Sequence, residues 1–282
     1  WNPHGGAGLP ALGSGQWALF YPPNWLYLLL PSPAVLSWLL VAHHGFAAVG
    51  ALLLGRRYGF TWLGALFSGV ALLAAPYVVA HHSPLTTHSL FIGVALLAAP
   101  YVVAHTGEGH FMHVCAVAWT PWAFLAYERI RGGGRLSSVA VAATIGASFL
   151  AGHAQESYML ALILTACCAA DIARAFHRCA RREAVRMGGA WVLAGLATAG
   201  LVAVELIPNL VSLKLSVRFS GITAEDAGNA AASVSWVNLG QLFNPLFLGG
   251  PESYTGPGSF FWETLCYFGA VPLILAVVAV IA

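Results

Sequence analysis

From Pro33 onward the chain is a succession of apolar runs near twenty residues long, broken by short stretches that hold most of its charge. A bilayer's hydrocarbon core asks for about 20 apolar residues per helical crossing. Lipid leaves a helix no water for its backbone groups, so internal hydrogen bonding is obligatory. This pattern predicts an all-α polytopic membrane protein. Candidate spans are residues 34–55, 61–81, 88–105, 111–128, 136–152, 155–176, 187–207 and 263–282. Only 8% of the 282 residues are charged, 59% are hydrophobic and the mean hydropathy is +0.77, against about 25% charged in soluble domains. A formal net charge of +2 falls in short clusters and gives no reason to expect nucleic acid.

Those clusters orient the spans. Arg56–Arg57, Arg129 with Arg131 and Arg135, and the run from Arg174 to Arg186 mark cytoplasmic loops by the positive-inside tendency. The outer face then receives 1–33, the segment around His105–His113, the turn at His153 and the stretch 208–262. Residues 1–33, rich in Gly, Pro and aromatic side chains, suit an interfacial anchor or the wall of a groove. Within them "NWLYLLL" is too short to span and predicts a small interfacial helix. The expected organisation is an outer loop over 1–33, a bundle over 34–207, a second outer loop over 208–262 and a helix over 263–282. Both ends read as cut from a longer protein.

One repeat disturbs the span count. Residues 66–81 and 90–105 match at fifteen of sixteen positions, 24 residues apart. An even number of crossings must separate Arg57 from Arg129, so one copy is expected not to cross. That leaves about seven spans plus one non-spanning duplicated helix. Pro76 and Pro100 allow a kink in either copy.

Polar side chains that interrupt apolar runs are the candidate site. His110 and His113 lie three apart and share a helix face. With His105 and Glu108 nearby they suggest head-group binding, plain interfacial polarity or a weak metal motif, since zinc normally needs at least three protein ligands. In "GHAQESY", Gly152 ends one helix and His153, Gln155 and Glu156 open the next. Glu156 either complements the helix N-terminus or, with His153, handles a polar substrate, because ionisable groups near membrane depth are costly and often functional. Glu205 is similarly placed near a span end. Arg218, assisted by Lys214, is the anion-binding candidate, for guanidinium pairs bidentately with phosphate. Glu263 and Tyr267 open the last helix toward the same side. Cys115, Cys167, Cys168, Cys179 and Cys266 lack metal or disulfide spacing and read as small core residues.

Six stretches occur in order: "WNPHGGAGLPALGSGQWALFYPPN", "HHGFAAVGALLLGRRYG", "GHFMHVCAVAWTPWAFLAYERIR", "LAGHAQESY", "PNLVSLKLSVRFS" and "NPLFLGGPESYTG…ETLCYFGAVPLIL". Together they resemble the YfhO-type bacterial membrane protein family, related to glycosyltransferases of GT-C architecture. The resemblance implies a multi-pass protein of the bacterial cytoplasmic membrane with its active face outward. It implies a polyprenyl-phosphate sugar donor and an envelope glycan or lipid acceptor, with a divalent metal ion left open. A GT-C enzyme is expected to carry an acidic catalytic residue in its first outer loop. Residues 1–107 contain neither Asp nor Glu, which leaves His153 and Glu156 as the catalytic candidates here. His110, His113, Gln155, Lys214, Arg218, Glu263 and Tyr267 are the substrate-binding candidates. Two other readings stand beside the transferase. One is a transporter, which His43 and His44 inside a span would suit; the other is a non-catalytic envelope-assembly scaffold.

Overall fold

A computed structural model describes residues 11–66, 110–214, 235–242, 244, 246–250 and 253–256. They fall into two compact units, one holding the described residues up to Leu54 and from Met112 to Lys214, the other holding the rest. Every regular element among the described residues is helical.

The first unit begins with a loop that contains a 3-10 turn at Ala11–Gly13. A second turn at Pro22–Asn24 leads into the expected short helix, α1 (Trp25–Leu29). Pro31 and Pro33 confine it, and Leu28 and Leu29 are more than 70% exposed. Helix α2 (Pro33–Arg57) starts on a proline, whose missing N–H costs nothing at a helix N-terminus. It ends on Arg56 and Arg57, cations that suit the negative end of the helix dipole.

The expected single span over 111–128 is two helices, α3 (Phe111–Val117) and α4 (Thr120–Arg131). The cause is Pro121, which has no N–H to offer the carbonyl four residues back. The backbone tightens instead, with Trp119 N–H bonding Ala116 O at 3.3 Å before Ala123 N–H resumes the ladder onto Trp119 O at 2.9 Å. Helix α5 (Ser137–Leu150) follows a turn with Gly133 at φ +70°, whose position is pinned by Arg186. The Arg186 guanidinium donates to Ile130 O and Arg131 O, both at 3.0 Å. Helix α6 (Ala154–His177) and α7 (Arg181–Lys214) complete the unit.

Helix α5 packs mainly on α7 and also on α4 and α6, while α6 packs on α7. A small residue permits the closest approach: a side chain at Gly146 would meet Leu201 Cδ2 at 2.5 Å. Small residues let helices approach without a soluble-type core.

Among the described residues, three helices are long and apolar enough to cross a membrane: α2, α6 and α7. In the most apolar window of each, only 28%, 33% and 17% is buried. Such wide apolar surface is what lipid contact requires and exceeds what single exposed residues explain in a soluble protein. The expected count of about seven spans is therefore not met among the described residues. Helix α5, with fourteen residues, reaches about 21 Å, short of a core about 30 Å thick. The run 111–128 is broken at Pro121. Spans over 67–81, 88–105 and 263–282, and with them the repeat beyond Leu66, lie outside the described residues.

Two further expectations change. The boundary at 208 falls inside a helix, because α7 continues through Pro208 to Lys214. Cys115, Cys167 and Cys168 are buried, as core residues should be, but Cys179 is exposed at φ +58° in the turn before α7. Cys266 lies outside the described residues.

In the second unit, Phe60 N–H bonds Gly55 O at 3.0 Å and closes the turn that follows α2. Arg56 donates to Phe60 O at 2.6 Å and lies 4.4 Å over the Trp62 ring. Residues 62–66 are helical, and a 3-10 stretch runs from Trp236 to Leu242. The buried Asn238 amide there accepts from Ser235 N–H at 2.8 Å and donates to Tyr254 Oη at 3.1 Å.

Candidate functional site

His113, on α3, and His153 and Glu156, at the start of α6, come together in the first unit. Their potential ligand atoms all lie within 4.8 Å of one another. Glu156 Oε1 is 3.7 Å from Nδ1 of His113 and 3.7 Å from Nδ1 of His153. The two imidazoles overlap, with ring centres 3.3 Å apart and planes at 32°. All three side chains are partly exposed, between 15% and 21%. The cluster is thus neither sealed in the core nor loose on the surface.

The backbone fixes this meeting at two points. Gly152 adopts φ +91°, and a side chain there would meet Ala18 Cβ at 2.9 Å and Met112 Cγ at 3.1 Å. Only glycine both adopts this conformation cheaply and fits the space. The turn from α5 to α6 therefore tucks beneath the N-terminal loop and beside the residue preceding His113. Ser148 supplies the second tie. Its Oγ donates to Ala116 O at 3.0 Å on α3 and lies 3.0 Å from Ser157 Oγ on α6. One buried hydroxyl thus bonds to the helix of His113 and to the helix of Glu156.

The loop over 11–24 is fastened to the same end of the unit. Gly13 packs on Ser212 and Pro208, and Gly15 on Asn209, near the end of α7. Tyr21 is buried, and its hydroxyl accepts from Trp119 Nε1 at 2.9 Å. His43 Nδ1 lies 2.6 Å from the Leu39 carbonyl, which can only accept. Nδ1 therefore carries the proton and Nε2 accepts from Tyr21 Oη at 2.6 Å. Burial pushes the Tyr21 hydroxyl well above its ordinary pKa, keeping it a donor. His43 is a structural link between loop and helix, and His44 Nδ1 likewise bonds Leu40 O at 2.8 Å. Glu205, one turn before Asn209 on α7, is 4% exposed, and its Oε2 has no hydrogen-bond partner among the described residues.

The sequence candidates divide accordingly. His113, His153 and Glu156 converge. Gln155 is exposed, because a residue two positions from His153 does not share its helix face. Lys214 is the exposed last residue of α7. His110 is half-buried, one residue before α3. Arg218, Glu263, Tyr267, His105 and Glu108 lie outside the described residues.

Sequence reasoning missed a second polar cluster, between α4 and the far end of α6. Asp171 of α6 accepts from Tyr127 Oη at 2.6 Å and pairs with Arg131 Nε at 3.1 Å and with Arg174. Arg131 also holds Glu128 at 2.6 Å. The signal was present: an acid stands three residues before an arginine in both 128–131 and 171–174, the spacing of a helical ion pair. Asp171 lies about 22 Å along α6 from Glu156.

The arrangement at the histidine end can bind a cation, or hydrogen-bond a hydroxyl or phosphate offered from solvent. Compared with known proteins, the chain matches no family model, no curated protein and no solved structure.

Proposed function

We propose that the chain is the membrane bundle of a transferase that moves a sugar from a polyprenyl-phosphate donor to an envelope acceptor on the outer face. One observation carries the reading: His113, His153 and Glu156 meet, partly open, at the end of the bundle capped by the loop over 11–24. A lipid-borne donor must approach sideways through the bilayer, and the largely uncovered apolar faces of α2, α6 and α7 suit that approach. The resemblance to the YfhO-type family supplies the donor class. In this reading the three-residue cluster engages the acceptor hydroxyl, and Arg218 with Lys214 holds the departing lipid phosphate. The orientation, with the arginine clusters cytoplasmic, belongs to the same proposal. The hydrogen bonds of His43 and His44 account for the intramembrane histidines that would have favoured a transporter.

The test is transfer of label from a radiolabelled polyprenyl-phosphate hexose into endogenous acceptors, in membranes that contain the protein. Glu156→Gln and Arg218→Ala should each lower transfer by about 10²-fold or more, the scale of a lost proton-transfer or charge-stabilising group. Unchanged transfer in both variants, or donor flux across sealed vesicles without transfer, would contradict the reading.

A further inference from the structure

We propose that His113, His153 and Glu156 form a binding site for a zinc-type divalent ion, with a fourth position open to water or to an oxygen ligand. The proposal does not rest on the transferase reading, since binding is measured without turnover.

The donor set comes first. Two imidazoles and one carboxylate form a three-ligand set that zinc takes at sites which keep an open position. All three ligand atoms fall within 4.8 Å of one another. Tetrahedral bonds of 2.0–2.1 Å set ligand atoms about 3.3 Å apart. The two Nδ1–Oε1 separations of 3.7 Å need only a few tenths of an ångström of adjustment, while the two imidazoles, whose ring centres lie 3.3 Å apart, swing apart to about 5 Å to point a nitrogen each at one ion. The carboxylate stands at the same distance from both rings.

The backbone that carries the three side chains is held in advance of binding. His153 and Glu156 are three apart at the start of one helix, so one face carries both. His113 comes from a different helix, fixed to the first through Ser148, Ala116 and Ser157. Gly152 lets the turn bring His153 beneath the N-terminal loop. Side-chain exposures of 15–21% leave room for an external ligand, unlike a closed structural site.

The experiment uses the full chain, purified in detergent without a histidine tag, stripped with chelator and titrated with Zn²⁺ alone. One equivalent should bind. His113→Ala, His153→Ala and Glu156→Gln should each weaken it by about 100-fold or more, since even outer-shell partners of a metal ligand are worth 10–100-fold. His177→Ala, on the exposed last residue of α6, should leave binding unchanged. No bound zinc in the wild-type protein, or equal binding in all three ligand variants, would overturn the proposal. Should a variant fail to fold, Co²⁺ replaces Zn²⁺ in the wild-type protein. Strong visible d–d absorption, as a four-coordinate ion gives, supports the site; its absence overturns it.

Discussion

At one end of α6, Asp171 meets Tyr127, Arg131 and Arg174, and Glu128 meets Arg131. At the other end, Glu156 stands 3.7 Å from two imidazoles that lie against each other. Both places gather acids and bases from the same two stretches of chain, 111–131 and 153–177. They differ in what the acid meets and in how open it is to solvent. Asp171 has a phenol and two guanidinium groups, so its role is to hold α4 and α6 together. Glu156 has two imidazoles at 3.7 Å and is 21% exposed. A polar cluster in an apolar bundle is costly to form; where its members satisfy one another, it is architecture, and where they share an opening, it is a site.

The largest expected effect should come from breaking the saturated end. Asp171→Ala leaves the buried Tyr127 hydroxyl without its acceptor and Arg131 with Glu128 alone, and should cost about 3 kcal/mol in detergent-denaturation measurements. A cost under about 1 kcal/mol would erase the distinction between the two ends. Gly152→Ala comes next, at about 1–3 kcal/mol, because the new methyl group meets Ala18 and Met112 in a backbone conformation that suits glycine. The same unfolding assay reads it, and zinc affinity should fall with it as His153 shifts. Tyr21→Phe should cost about 1–2 kcal/mol by leaving Trp119 Nε1 and His43 Nε2 without their bond. Its effect on zinc binding should be small, since neither partner belongs to the cluster. Ser148→Ala should cost about 1 kcal/mol, and loosening the tie between α3 and α6 should weaken zinc about tenfold. Glu156→Gln closes the order: its stability should move by less than about 1 kcal/mol, while zinc binding collapses. That opposition of stability and binding is the sharpest form of the comparison.

The parts of the fold legible in the sequence are those fixed by local composition. Helices α2 and α6 follow from uninterrupted apolar runs, and α1 follows from the prolines around "NWLYLLL". Pro121 and Pro208 carried opposite lessons. The first stands where two short helices meet and breaks the run. The second sits late in a 34-residue helix, where one lost hydrogen bond does not end it. Within the candidate site, His153 and Glu156 were legible because three-residue spacing is local. The partner of His113 was not. Spacing alone paired it with His110, whereas the fold brings His153 and Glu156 from about forty residues further on, through a turn that Gly152 makes possible. The Asp171 cluster escaped notice because its arginines were read only as topological marks. An acid inside an apolar run needs a cation, and the neighbouring turn of helix already supplied one.

The central claim is that the His113–His153–Glu156 end of the bundle faces outward and the arginine end faces the cytoplasm. The measurement that tests it most directly is thiol labelling in intact cells, with single cysteines at the exposed positions Gln155 and Arg135 in a background without the native five. An impermeant reagent should label Gln155→Cys and spare Arg135→Cys until the membrane is opened. Labelling of Arg135→Cys with protection of Gln155→Cys would place the cluster on the cytoplasmic side and contradict the account.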